Sequence, residues 1–448
     1  MNGIDADFAA RLLDAAARAG ADEAEVFLKN VGTLSVEVKN EKIETLEKSV
    51  SAGYSIRIVR NGRLGFSYAT DAAAWEQVVQ RSMEAAAHAE PDMHNGLPLE
   101  SGSAGDVLVF DPALDTLAES DSIRKVFAIE EAARASDTRI TKIRKAAGSF
   151  TKSETRIINS HGIHVHYRTT ACSAQIMAIA EQGSESQMGW DYQGSRFLQD
   201  IDFRGVGIRA AERAVSLLGA ERVPSTKGTI ILDNSVAADF LGVFSSALSA
   251  DAVQKKKSMF AGKVGAAVIA DCLSIIDSGL LPGKLGSRPF DDEGVAVSRT
   301  GLLDHGVLKG FLYNTYTARK DGVASTGNAV RGGIRGMPSV GVSNLYMDAS
   351  DEKLRMPTAS LCSRIDKGLL VTETMGMHTA NPISGEFSVG VSGHWVESGK
   401  VVRPAKEAVI SGNILELFRN VALVGDDLIF YGNIGAPSLL IEGIDISG

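Results

Sequence analysis

Ser384–Ser398 reads SGEFSVGVSGHWVES, a run that alternates small with large residues as a β-strand does. Gly390 and Gly393 would let a second backbone come close. The segment is therefore either an interior barrel strand or an edge to which an extended peptide adds as a further strand. Gly390, Gly393 and Glu386 are the candidate peptide contacts. Outward from this run, from about residue 280 almost to the end, short strand patterns alternate with glycine turns. The chain has 46 glycines and 11 prolines among 448 residues. The glycines fall singly between hydrophobic runs, which predicts tight turns between short strands in a β-rich, barrel-like C-terminal domain with a few helices.

The N-terminal half has a different texture. Residues 5–19 place Phe8, Leu12 and Ala15/Ala16 at helical spacing, with Gly20 as the stop. AEVFLKN, LSVEVKN and YSIRIVR then alternate apolar and polar residues, and Asn61-Gly62 is a strong hairpin signal because both positions tolerate positive φ. A helix follows from Thr70-Asp71 to about Ala89. The turn-rich stretch 91–108 reads as a boundary. Beyond it, Ser120 or Asp121 can cap a helix over about 122–136, strands TRIINS and IHVHYRTTACSAQIMAIAEQ flank the turn Ser160-His161-Gly162, and a helix spans about 205–219. The expected architecture is α+β: sandwich-like domains with antiparallel sheets at 1–98 and 110–222, then the β-rich domain at 226–448.

Composition excludes several classes. With 46 Lys and Arg against 55 Asp and Glu, the net charge is −9. Broad binding to a phosphate backbone needs the opposite sign, so nucleic acid is not an expected partner. No apolar run approaches the ~20 residues of a membrane span, and Asp5 and Asp7 stand where a signal peptide would carry positive charge. Cys172, Cys272 and Cys362 are far apart and form no CxxC pair, which suits a reducing cytoplasm.

The short motifs carry little chemistry by themselves. GVGIRA (Gly205, Gly207, Ala210) matches a dinucleotide fingerprint in letters, but the polar FLQDIDFR precedes it where a buried strand is required. His164 and His166, two apart on a strand, could present two imidazoles to one metal, whereas His161 sits at the turn. A catalytic zinc usually takes three protein ligands, so exposed strand histidines are the simpler reading. RGGIRG (Arg331–Gly336) and Lys255–Lys257 are basic but isolated on an acidic chain. The sequence has no G-x-S-x-G, no H-E-x-x-H and no H-E-x-x-x-H.

Gly376–Asp427, which contains the opening run, resembles the block N-P-x-[ST]-G-[DE]-F-S-V-G…G…G…P…G-N…VG-[ND]-D of the TldD/PmbA family. Lys227–Asp233 (KGTIILD), Ser258–Gly265 (SMFAGKVG) and the Asn159–Gly162 turn fit in the same order, so the resemblance spans essentially the whole chain. In the TldD branch, a helix before the S-x-F-[SA]-G segment carries H-E-x-x-x-H, and a cysteine near the C-terminus completes a zinc site. Registration on SMFAG, with Leu248 and Asp251, puts Leu241, Gly242 and Ser246 at those three positions. None can replace the family group, and FYGNIGAPSLLIEGIDI has no cysteine.

This pattern resembles the other branch, PmbA or TldE. The resemblance implies a subunit with no catalytic or metal residues and no cofactor of its own, paired with a TldD-like zinc protease subunit in a heterodimer. The substrates implied are unfolded or extended peptides, through leader-peptide trimming and antitoxin degradation in the cytoplasm. In isolation a homodimer is expected to be possible. Two alternatives stay open from the residues: an autonomous metal-dependent hydrolase using His164 and His166, and a DNA gyrase modulator acting on nucleic acid through Lys255–Lys257 and Arg331–Arg335.

Overall fold

The computed structural model describes residues 5–448. Helix α1 (Ala6–Arg18) starts where the Asp5 carboxylate accepts the Phe8 N–H at 3.0 Å, satisfying one free donor of the first turn. Strands β1 (Glu23–Lys39), β2 (Lys42–Arg60) and β3 (Arg63–Ala69) follow, then α2 (Trp75–His88). Asn61 and Gly62, at φ +50° and +71°, make the predicted turn between β2 and β3. AEVFLKN and LSVEVKN are one continuous strand, β1, because Gly32 pairs in register with Val50 and Lys152 instead of interrupting the ladder.

Helix α3 (Glu119–Ser136), strands β4 (Ile140–Asn159), β5 (His164–Gln182) and β6 (Glu185–Ser195), and helix α4 (Phe203–Ser216) complete the N-terminal half. Neither Ser120 nor Asp121 caps α3. The helix begins earlier, with Ala118 at the cap and no side-chain cap bond, and the Ala118 carbonyl accepts the Ser122 hydroxyl at 3.1 Å. Asp121 instead pairs with Arg124 within the helix. Strand β4 pairs with β1 from Glu25↔Asn159 to Val38↔Ala146, giving one antiparallel sheet of order β3-β2-β1-β4-β5-β6. The two N-terminal α+β units thus share a single sheet.

All four helices cover one face of that sheet. Phe8 and Leu12 pack on Val26, Leu28 and Ile56, while Ile129 and Val206 pack on Val36, Ala174 and Ile176. Each such buried side chain contributes about 1.5–3 kcal/mol. On the other face, Phe27, Ile157 and Val165 meet Ile334 and Phe290 from the C-terminal half. Around this patch the joint is ionic: Arg57 donates to Glu25 at 2.8 Å and to Glu293 at 2.7 Å, and Arg331 pairs with Glu25.

The C-terminal half closes a five-stranded barrel from β7 (Thr226–Leu232), β8 (Lys367–Met375), β9 (Glu386–Glu397), β10 (Lys400–Asn413) and β11 (Leu439–Ser447). Helix α5 (Asn234–Ala247) packs into its core cluster, with Phe240 edge-on to Phe387 and Phe244 edge-on to Phe418. A second sheet is centred on Leu273–Ser278. Strand β9 is hydrogen-bonded to β8 on one side and β10 on the other. It is therefore an interior barrel strand, and its backbone offers no edge for strand addition. The glycine at 393 serves that interior role, since a Cβ there would lie 1.9 Å from the Leu370 carbonyl oxygen.

Candidate functional site

The open face of the sheet meets the C-terminal half a second time beyond the ionic joint, where β5 and β6 approach the start of α5 and the Ile429–Tyr431 strand. Two adjoining cavities of about 320 and 620 Å³ lie there and share Asp191, Tyr192 and Tyr431. The smaller has an apolar wall of Met177, Trp190, Tyr192 and Tyr431, with Asp239 at its side. Trp190 and Tyr431 meet edge to face at 5.8 Å, and the Arg213 guanidinium lies 5.1 Å from the indole centroid. Trp190 comes from β6 and Tyr431 from the C-terminal half, so this contact ties the two halves at the cleft.

The sequence places these groups through local rules. Asp233 caps α5 by accepting the Val236 N–H at 2.9 Å, and it also faces Arg213 at 3.5 Å. Tyr431 donates its hydroxyl to Asn234 at 2.8 Å. One turn into α5, Asp239 accepts the Thr374 hydroxyl at 3.0 Å, which brings the end of β8 to the cleft. Desolvation raises the Asp239 carboxyl above the ordinary carboxylate range against that hydrogen bond. Asp191 is raised for the same reason, although Arg209 at 2.9 Å opposes the shift. Aromatic rings, paired guanidinium groups and carboxyls in one groove suit an extended chain bearing mixed side chains.

Leu241 is fully buried in the core that the barrel shares with the second sheet, whereas Gly242 is half-buried and Ser246 exposed. Leucine, glycine and serine at these positions do not provide zinc ligands or a carboxylate. Among the described residues, no group of three or more His, Cys, Asp and Glu side chains is arranged to hold a metal.

The other sequence candidates are dispersed. His164 and His166 share an exposed face of β5, but His164 lies 3.3 Å from the Arg156 guanidinium, an unfavourable neighbour for a metal cation. His166 meets Glu154 at 2.7 Å, and His161 faces Glu23 at 3.1 Å. Arg331 is buried in the ionic joint and Lys255 pairs with Asp251 at 2.8 Å, so the basic segments do not form one surface. Gly207 belongs to the contact between α3 and α4, where a Cβ would stand 2.2 Å from the Ile129 carbonyl oxygen. Gly390 pairs with Met375 at the end of β8 nearest Asp239, and Glu386 is exposed at the start of β9. Trp190, Asp239 and Tyr431 were not legible as site residues. The one signal was an aromatic beside a glycine turn in FYGN.

This architecture, a helix-covered sheet joined to a closed barrel with a cleft between them, is that of a known class of metallopeptidase-related proteins. Models of the PmbA/TldA metallopeptidase match in order along the chain: domain 1 at residues 24–86, the central domain at 112–218 and the C-terminal domain at 225–448. The chain belongs to the PmbA/TldD family. It is 29% identical over 435 residues to metalloprotease PmbA of Escherichia coli O157:H7, covering 95% of this chain and 92% of that one. It is 30% identical over 433 residues to the metalloprotease PmbA homolog of Buchnera aphidicola from Acyrthosiphon pisum, covering 95% and 93%. A Thermotoga maritima crystal structure, described as a modulator of DNA gyrase, superimposes with a TM-score of 0.91 at 28% identity over 98% of this chain and 99% of that one. TldE from Thermococcus kodakarensis shares the fold, with a TM-score of 0.90 at 23% identity over 98% and 100%. No helix among the described residues is long and apolar enough to cross a membrane.

Proposed function

We propose that this chain is the PmbA/TldE-type, zinc-free subunit of a heterodimeric metalloprotease, whose TldD-like partner supplies the zinc and the catalytic glutamate. The observation that carries the reading is the chemistry of α5: Leu241 is sealed in the core, and the outward positions 242 and 246 carry glycine and serine. An apolar helix there is more stable than an unliganded polar pocket would be. In this reading the chain completes the cleft, and the groove bounded by Trp190, Tyr431 and Asp239 guides extended or unfolded peptides toward the partner's metal. Met375 and Ile383, both exposed, add apolar contacts at the rim formed by the ends of β8 and β9, with Gly390 and Glu386 beside them. Leader-peptide trimming and antitoxin degradation in the cytoplasm are the proposed roles, and a homodimer is the proposed form without the partner.

The test is cleavage of an unfolded protein or leader peptide by this chain, by a TldD homologue, and by the mixture. Cleavage that requires both chains supports the proposal. Cleavage by this chain alone, abolished by a chelator, would overturn it. A gyrase-directed role predicts strongly salt-dependent DNA binding, which the net charge of −9 opposes.

A further inference from the structure

A third cavity, of about 330 Å³, lies between the open face of the N-terminal sheet and the 285–292 loop, apart from the peptide groove. Lys29 on β1, Arg196 just beyond β6, and Arg288 and Asp292 on the loop all line it. Arg288 and Asp292 pair at 3.2 Å. The other two cations have no such partner. Among the described residues, Lys29 makes no side-chain hydrogen bond or ion pair. The Arg196 guanidinium donates only to carbonyl oxygens, those of Thr170 at 3.1 Å, Ser287 at 2.9 Å and Leu285. The Nε atoms of Arg196 and Arg288 are buried without any hydrogen-bond partner.

Of the neighbouring acids only Asp292 faces these cations, and its one charge is shared among Arg288, Lys29 and Arg331. Glu25 and Glu293 are committed to Arg57 and Arg331. The Asp291 carboxylate accepts the backbone N–H groups of Glu293, Val295 and Ala329. Burial lowers the pKa of both Lys29 and Arg196; the Asp292 carboxylate opposes the shift at Lys29, whereas no carboxylate does so at Arg196. Ser153 and Thr169 add hydroxyl-bearing side chains to the same lining.

We infer that this cavity binds a small dianion of the phosphate or dicarboxylate class, with its two charges on Lys29 and Arg196. The bond types are the charge-assisted ones that recognise such oxyanions, and the volume leaves room for a small organic substituent. The site needs no partner subunit and is independent of the proteolytic reading.

Titration calorimetry and thermal unfolding test it on the full chain, with inorganic phosphate, succinate and chloride at matched ionic strength. The expected result is saturable binding of phosphate or succinate with a rise in Tm beyond that in chloride. A response to phosphate alone assigns a tetrahedral oxyanion, and one to succinate alone assigns a dicarboxylate. Lys29→Met should weaken binding about tenfold or more, yet unfold close to wild type without added anion, because it breaks no ion pair and Asp292 keeps Arg288 as its partner. Ser153→Ala, a smaller change, should weaken binding less and leave the fold intact. No anion response beyond chloride, or equal binding by wild type and both variants, overturns the inference.

Discussion

Arg57 and Glu293 meet at 2.7 Å across the joint between the N-terminal sheet and the C-terminal half, with side-chain exposures of 6% and 0%. They are 236 residues apart in the chain, so the pair forms only when both halves have docked. Glu293 also accepts the Thr315 N–H at 2.9 Å, and Arg57 is shared with Glu25. Neither charge has water to fall back on. Glu293→Gln should therefore destabilise the protein by about 3–5 kcal/mol, the range for breaking a buried pair on one side. Urea unfolding followed by Trp fluorescence reads the loss, and a change below about 1 kcal/mol would mean that water reaches the joint.

A second buried carboxyl, Asp277, makes stability depend on pH. Asp277 accepts Asn328 Nδ2 at 2.7 Å and the Ser343 N–H at 2.8 Å, yet burial pushes its pKa up from 3.8 to about 6. Between those values the folded state holds a proton that the unfolded state has released, so stability from this group falls as pH rises through the window. Below pH 4 the contribution is complete. Asp277→Asn cannot titrate, so the stability gap between wild type and variant should narrow by up to about 3 kcal/mol from pH 4 to pH 7. Urea midpoints at several pH values check this, and a gap that widens with pH contradicts the assignment.

Local patterns were readable because short-range physics decides them. The Asn61-Gly62 hairpin, the amphipathic α1 and the period-two runs of β1, β2 and β5 all appear where the side chains demand them. The family block likewise led to the barrel. The pairing of β1 with β4 was not readable, because both strands alternate well enough to close separate sheets and only their docking decides. The β9 glycines were compatible with an edge or an interior strand, and β8 and β10 settled it. Cleft residues such as Trp190 and Tyr431 are brought together from 241 positions apart by the same docking, and nothing local marks them.

Gly207 separates packing from cofactor chemistry in the GVGIRA segment. Ala is a better helix former than Gly by about 1 kcal/mol, so an unobstructed helical site would gain from the change. Here a Cβ would stand 2.2 Å from the Ile129 carbonyl and 3.0 Å from the Ala133 nitrogen, both backbone atoms of α3. Gly207→Ala should therefore lower stability by about 1–3 kcal/mol, as overpacking does. A raised Tm would show that α3 and α4 can separate without cost.

Helix α5 offers the sharpest test of why this chain carries no zinc motif. The triple change Leu241→His, Gly242→Glu and Ser246→His restores the letters of the sister branch without restoring the cysteine or an open setting for the ion. Leu241 is fully buried beside Phe240 and Phe244, while position 246 is exposed. The new imidazole at 241 would lie among apolar side chains, closed off from solvent. No cysteine near the C-terminus is available as a further ligand. The triple variant should therefore retain less than stoichiometric zinc after dialysis, by elemental analysis. It should also unfold earlier, since replacing a fully buried leucine with a poorly fitted polar ring costs about 2–5 kcal/mol. Tight binding of one zinc per chain would instead mean that the core opens around position 241 to admit the ion, and packing would not explain the missing motif.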